Sequence, residues 1–312
     1  EFLKRKNNLR EISSEKLSLP LIELRNFTNQ LNIKKDIIEA EFLKEKEDKV
    51  ILTENLNALI KIDEVQKEVE EFERILVRVS KKAHYKISVD KEFRAKFNNH
   101  STQKSVVLSV DIRKSTELLN FSKSPAMFSI FMSQLIPALE KIIKDNYGVF
   151  DKFTGDGILA FFPDFFSGED SHYFALKAAK ACHEEFQSKY KENAACFSTI
   201  KANVGVGIGI DYGEISFVTI CDDLTAVGTP VVYACRLGGA PANQTLLNQG
   251  AIDRIKELYV NQFKSTARTL EIKGELTIIG YDVELSFNEI KPKLPHWVIG
   301  DKNSDSDKES LE

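Results

Sequence analysis

The chain has 312 residues, 42% of them hydrophobic, enough to bury a sizeable core and to hold more than one domain. Its 43 Lys and Arg against 47 Asp and Glu give a net charge of −4, which excludes a dedicated nucleic-acid binder, since such a protein carries a basic excess. Cys182, Cys196, Cys221 and Cys235 form no C-x-x-C pair and read as reduced, buried thiols of a cytoplasmic protein; no apolar run reaches bilayer-spanning length and no signal peptide is visible.

Glu1 stands where a methionine is expected, and the terminal "EF" and "LE" read as cloning remnants, so natural flanking regions are expected to be missing. Residues 1–82 form the first region. From 14 to 82 they are rich in Lys, Glu, Leu and Ile and almost free of Gly and Pro, which is helical composition. Ile62, Val65, Val69, Phe72, Leu76 and Val79 follow a heptad-like spacing that predicts a short parallel coiled coil pairing two copies. An amphipathic helix packed on its own domain gives the same pattern. Residues 83–103 are polar and interrupted, and read as a connector.

From residue 104 to 297 strand and helix signals alternate. "SVVLSV" predicts a strand, 125–146 a helix with Pro125 in its first turn, and "VFDKF" and "GILAFF" two strands around the turn "TGDG". A helix follows over 169–191, then a strand "ANVGVGIGID" with "GEISFVTI" as its hairpin partner. A further helix is expected after Pro230, and "LEIK" and "TIIGYDVEL" as the last strands. The order β-α-β-β-α-β predicts an α+β fold with a ferredoxin-like sheet. Gly205, Gly207 and Gly209 alternate with Val and Ile along one strand face, which suits close helix packing and not a G-x-G-x-x-G phosphate loop. The tail over 298–312 is charged, lacks apolar anchors and reads as disordered.

Two acids stand out. Asp111 ends the strand in "VLSVDIRKST", where a buried carboxylate is costly unless a helix cap or a cation satisfies it. Asp156 lies in "TGDG", a turn where acids are common in any hairpin. In the expected fold both reach one edge of the sheet. With no basic neighbour fixed in sequence they repel each other unless divalent cations bridge them, and so few protein ligands leave positions for water and phosphate on Mg²⁺ or Mn²⁺.

Four segments, "VLSVDIRKST", "VFDKFTGDGILAFF", "VGVGIGIDYGEI" and "AVGTPVVYACRLGGA", resemble in order and separation the class III nucleotidyl cyclases, over roughly residues 104–285. The resemblance implies a dimer with sites across its interface and cyclisation of a nucleoside triphosphate to a 3′,5′-cyclic monophosphate and pyrophosphate. It implies Asp111, Asp156 and the Ile112 carbonyl as ligands of two Mn²⁺ or Mg²⁺ ions, and Arg236 as the transition-state arginine. Ser115 and Thr116 begin a helix whose backbone can hold phosphate, and Lys273 matches a triphosphate-binding lysine; a solvated strand end accounts for Lys273 equally well.

Lys152 and Thr225 match the family's base-reading positions and are compatible with ATP. Val232, however, stands where the family places a ribose-orienting asparagine, and Pro230 changes how that helix begins. The block "PVVYACRLGGAPA" is similar to that of the bacterial pyrimidine cyclases of the Pycsar anti-phage system, which make cyclic UMP or cyclic CMP to activate an effector. The resemblance therefore ranks UTP first and CTP second. Its rivals are an adenylate cyclase and a catalytically inert dimeric sensor or scaffold. A diguanylate synthase would show a G-G-[DE]-E-F hairpin, which "TGDGI" is not.

Overall fold

The computed structural model describes residues 21–44, 49–98, 100–221, 223–270 and 277–299, and these divide into two compact units. The first is helical, with α1 (Leu21–Lys44), α2 (Lys49–Leu76), α3 (Lys81–Val89) and α4 (Lys91–Ala95), the last of which runs to the unit boundary. Helices α1 and α2 run antiparallel: Lys35 pairs with Asp63 at 2.7 Å and Gln66 donates to Asn32 at 2.6 Å. Leu31, Ile62, Val69, Phe72 and Leu76 are buried within one chain, so the heptad seam is at least partly spent on intramolecular packing. The expected connector is mostly helix. Asp90 accepts the Phe93 N–H at 2.8 Å and so starts α4, and the Arg94 guanidinium stacks 5.6 Å from the centre of the Phe72 ring.

The second unit is built on an eight-stranded sheet. Its elements are β1 (Thr102–Arg113), α5 (Ser115–Phe121), α6 (Pro125–Asp145), β2 (Val149–Phe153), β3 (Gly157–Pro163), α7 (Asp164–Ser167), α8 (Ser171–Glu192), β4 (Gly205–Ile220), β5 (Asp223–Val227), α9 (Thr229–Leu237), β6 (Gln244–Leu247), α10 (Gln249–Leu258), β7 (Phe263–Leu270), β8 (Ile278–Leu285) and α11 (His296–Ile299). The strands lie in the order β2-β3-β1-β4-β6-β8-β7, with β5 paired to β4. β1, α6, β2, β3, α8 and β4 give the expected β-α-β-β-α-β core.

Four expectations change. β1 runs two residues past Asp111. "GVGIGID", from the expected strand "ANVGVGIGID", and "GEISFVTI" form one 16-residue strand, β4, in place of a hairpin, and its hairpin partner is β5. Gly213, expected to open that partner strand, instead continues β4 under Pro230, whose Cγ sits 3.0 Å from the position a Cβ would take. β7 ends at Leu270, the first residue of "LEIK", and Glu271, Ile272 and Lys273 lie outside the described residues, as do all but the first two positions of the expected tail.

One face of the sheet carries the core. Val106, Leu108, Val110 and Ile112 point from β1 into a cluster with Leu135 and Leu139 of α6 and Ala178, Cys182 and Phe186 of α8. Contrary to the sequence reading, α6 is long and apolar enough to span a bilayer by length and composition; here Phe131, Leu135, Leu139 and Ile143 turn inward, while Ser129, Ser133 and Lys141 are exposed. Cys182 and Cys196 are buried as expected, whereas Cys221 and Cys235 are exposed.

The opposite face receives α9. A Cβ on Gly209 would lie 2.1 Å from the Ala234 carbonyl oxygen, and one on Gly207 2.3 Å from that of Ala240. The alternating glycines are thus where a helix and its C-terminal turn approach the strand, as their spacing predicted.

Candidate active site

The two acids meet where the β2–β3 turn closes on β1. Thr154 N donates to Gly157 O at 2.9 Å, and Gly155 takes φ +94°, a conformation that favours glycine. Gly157 faces Asp111 in the β1–β3 ladder, and a Cβ there would lie 2.1 Å from the Val110 carbonyl oxygen. The turn can therefore sit close enough for the Asp156 carbonyl to accept the Ile112 N–H at 2.9 Å.

Asp111 is pushed above the ordinary carboxylate range, first by burial; Arg113 counters this and the charge of Asp156 adds to it. Arg113 ion-pairs with Asp111, so the expectation that no basic neighbour is fixed nearby is wrong. Residues i and i+2 on a strand share a face, and the extra length of β1 is what brings Arg113 there. The Ser115 hydroxyl donates to Asp156 Oδ2 at 2.7 Å. Lys114 caps α5 in the left-handed region at φ 59°, and Thr116 is exposed in the first turn.

Two carboxylates and a nearby strand carbonyl make a hard-oxygen donor set. Among the described residues there is no group of three or more His, Cys, Asp or Glu side chains that could hold a metal. This donor set fits a cation that takes its remaining ligands from water and phosphate, Mg²⁺ or Mn²⁺, and not a Zn²⁺ cage.

A second cluster lies on β2 and β5. The β2–β3 register shifts between Phe150 and Lys152, leaving Asp151 as the extra residue of a bulge. Neighbours that would normally face opposite sides then meet: Lys152 Nζ lies 3.6 Å from Asp151 Oδ2. Thr225 Oγ1 donates to the same oxygen at 2.8 Å. Asp151 and Thr225 are only 4% and 5% exposed, while the Lys152 side chain is 40% exposed. Burial lifts the Asp151 carboxyl to about 6, against the opposing pull of Thr225, Lys152 and Arg78.

On α9, Val232 is 48% exposed, and the Arg236 guanidinium lies 5.7 Å from the centre of the Tyr233 ring. The structure thus joins Asp111, Ile112, Asp156 and Ser115 in one cluster, and Lys152 and Thr225 in another. Sequence reasoning missed Arg113 and Asp151. The i+2 spacing pointed to the first; strand alternation pointed Asp151 away from Lys152, and only the bulge brings them together.

No family model matches the sequence, and no curated protein does. Among solved structures, the adenylyl cyclase CyaB from P. aeruginosa superposes with a TM-score of 0.51 at 21% identity, covering 63% of this chain and 98% of that one. The guanylyl cyclase Cya2 superposes with a TM-score of 0.51 at 19% identity, covering 60% of this chain and 94% of the other. The sheet unit therefore has the fold of a nucleotidyl cyclase catalytic domain. At these identities the likeness is one of fold.

Proposed function

We propose that this chain is a divalent-metal-dependent nucleotidyl cyclase. The observation that carries the reading is the convergence of Asp111 and Asp156, tied through the Ile112–Asp156 backbone bond, on a sheet of cyclase fold. The 3′-oxygen of a nucleoside triphosphate attacks the α-phosphorus, the bond from that phosphorus to the bridging oxygen breaks, and pyrophosphate leaves. Asp111, Asp156 and the Ile112 carbonyl hold the cations. Once bound, these supply the positive charge that acidifies the 3′-hydroxyl and neutralises the phosphates. Arg236 stabilises charge building on the phosphates, with Ser115, Thr116 and Lys273 as further phosphate contacts.

The site is shared between two copies, metals on one and Lys152, Thr225 and Arg236 on the other. In support, large apolar side chains are exposed on the same elements in a single chain: Phe153 on β2, Val227 on β5 and Val232 on α9. For the base, the block around Val232 favours a pyrimidine, with UTP ahead of CTP, and a role as second-messenger synthase in bacterial anti-phage defence. An adenylate cyclase is the second reading, favoured by the meeting of Lys152 and Thr225 at one carboxylate oxygen.

The test is to incubate the protein with each of the four nucleoside triphosphates and Mn²⁺, identifying products by mass. A 3′,5′-cyclic nucleotide is expected, and Asp111→Asn and Asp156→Asn are each expected to reduce it to background while keeping a native circular dichroism spectrum. Folded variants with wild-type turnover would contradict the assignment of the acids.

A further inference from the structure

We infer that Asp151 is a positioning residue that fixes the hydrogen-bond polarity of the base-reading groups, so that the site selects bases carrying an exocyclic amine, cytosine and adenine, over uracil and guanine. The inference rests on the cyclase reading and departs from its ranking of the two pyrimidines. An ionised carboxylate only accepts hydrogen bonds, and a threonine hydroxyl has one proton to give. The 2.8 Å bond from Thr225 Oγ1 to Asp151 Oδ2 uses that proton, and the burial of both groups leaves little water to compete for it. Thr225 can then offer a ligand only lone pairs. Lys152, 3.6 Å from the same oxygen, can only donate.

An acceptor beside a donor matches an amine next to an unprotonated ring nitrogen, as at N4 and N3 of cytosine or N6 and N1 of adenine. Bound in that same orientation, uracil and guanine present the reverse, a carbonyl next to a ring N–H, and would set lone pair against lone pair at Thr225. Within the pyrimidines this reverses the order that the sequence block suggested, placing CTP ahead of UTP.

The polarity is also reversible. The charged and titratable groups around Asp151 are Lys152 on β2, Arg78 from the segment before α3, Asp223 on β5 and the Cys235 thiol on α9. Arg78 ion-pairs with Asp223, and its carbonyl accepts the Phe150 N–H at 2.8 Å, which keeps this charge beside β2. With its carboxyl lifted to about 6 by burial, Asp151 gains a proton in mildly acidic solution. The acid can then donate to Thr225, and the threonine proton becomes free to meet a carbonyl.

The experiment measures kcat/KM for CTP, UTP, ATP and GTP from pH 5 to 8 in the wild type, Asp151→Asn and Thr225→Val. At pH 8 the wild type is expected to favour CTP over UTP, and ATP over GTP, by at least about tenfold, with both ratios narrowing below pH 6. In Asp151→Asn, whose amide can donate or accept, the ratios should collapse to within a few-fold with no pH step. A folded Asp151→Asn that keeps the wild-type ratios and their pH profile overturns the inference, as does wild-type preference for UTP at pH 8. If Asp151→Asn does not fold, Thr225→Val decides, its ratios collapsing if the inference holds and persisting if it does not. Cyclic products with unmoved ratios overturn this inference alone, whereas no cyclic product from any nucleotide overturns the cyclase reading and this with it.

Discussion

Asp151 carries a cost as well as a function. Its carboxyl rises from 3.8 to about 6 in the fold, chiefly through burial, so the native state binds a proton more tightly than the unfolded chain does. The stabilisation this provides is full below pH 4 and is lost as pH rises through 6. A tenfold change in proton affinity is worth about 1.4 kcal/mol, so the whole effect is at most roughly 3 kcal/mol. Asp151→Asn removes the buried charge and keeps an acceptor for Thr225, so it is expected to gain about 1–3 kcal/mol over the wild type at pH 8 and nothing at pH 4. Chemical denaturation at the two pH values measures this; equal effects at both would contradict it.

Among the elements, the contact between α9 and β4 admits the sharpest test. The Cβ of Gly209→Ala would meet the Ala234 backbone carbonyl at 2.1 Å, a contact neither partner can relieve without moving the helix. The Cβ of Gly205→Ala would meet the Asn243 side chain, whose Oδ1 lies 2.4 Å away but belongs to a side chain that can turn aside. We expect Gly209→Ala to lower stability by about 1–3 kcal/mol and Gly205→Ala by clearly less, read from urea unfolding midpoints. Equal losses would mean that α9 does not pack on these glycines as described.

The same contact shows what the sequence reveals. Strands whose residues alternate in and out, and helices with an apolar stripe, were legible: β2 was placed residue for residue, and α6 to within one. β7 was not, because "FKSTARTL" is almost wholly exposed and carries no alternation to read. β6, four residues long, draws its definition from parallel pairing with β4, which a sequence window cannot see. The split of β4 into a hairpin failed because its two apolar halves read as separate strands, whereas they form one. The approach of Asp111 and Asp156 to each other was legible because acids bounded by apolar strands need a partner. Arg113 was overlooked because the strand was ended at Asp111, although its i+2 spacing was readable, whereas Asp151 was hidden by a bulge, a property of pairing.

For the whole molecule, a site shared between copies makes a prediction that a self-contained site does not. Asp111→Asn and Arg236→Ala should each be inactive alone, yet mixing them should restore activity, because heterodimers hold one site with both lesions and one with neither. Lack of recovery in demonstrated heterodimers would place the whole site within one chain. Deleting the helical region through residue 76 should weaken pairing and lower activity most at low protein concentration.

Intramolecular cyclisation with pyrophosphate as leaving group is measured by the yield of both products from one reaction. With its preferred nucleoside triphosphate and Mn²⁺, the wild type is expected to form 3′,5′-cyclic nucleotide and pyrophosphate in equal amounts, with neither formed by Asp156→Asn. Linear monophosphate or inorganic phosphate in place of the cyclic product, or no product from any of the four nucleotides, would contradict it.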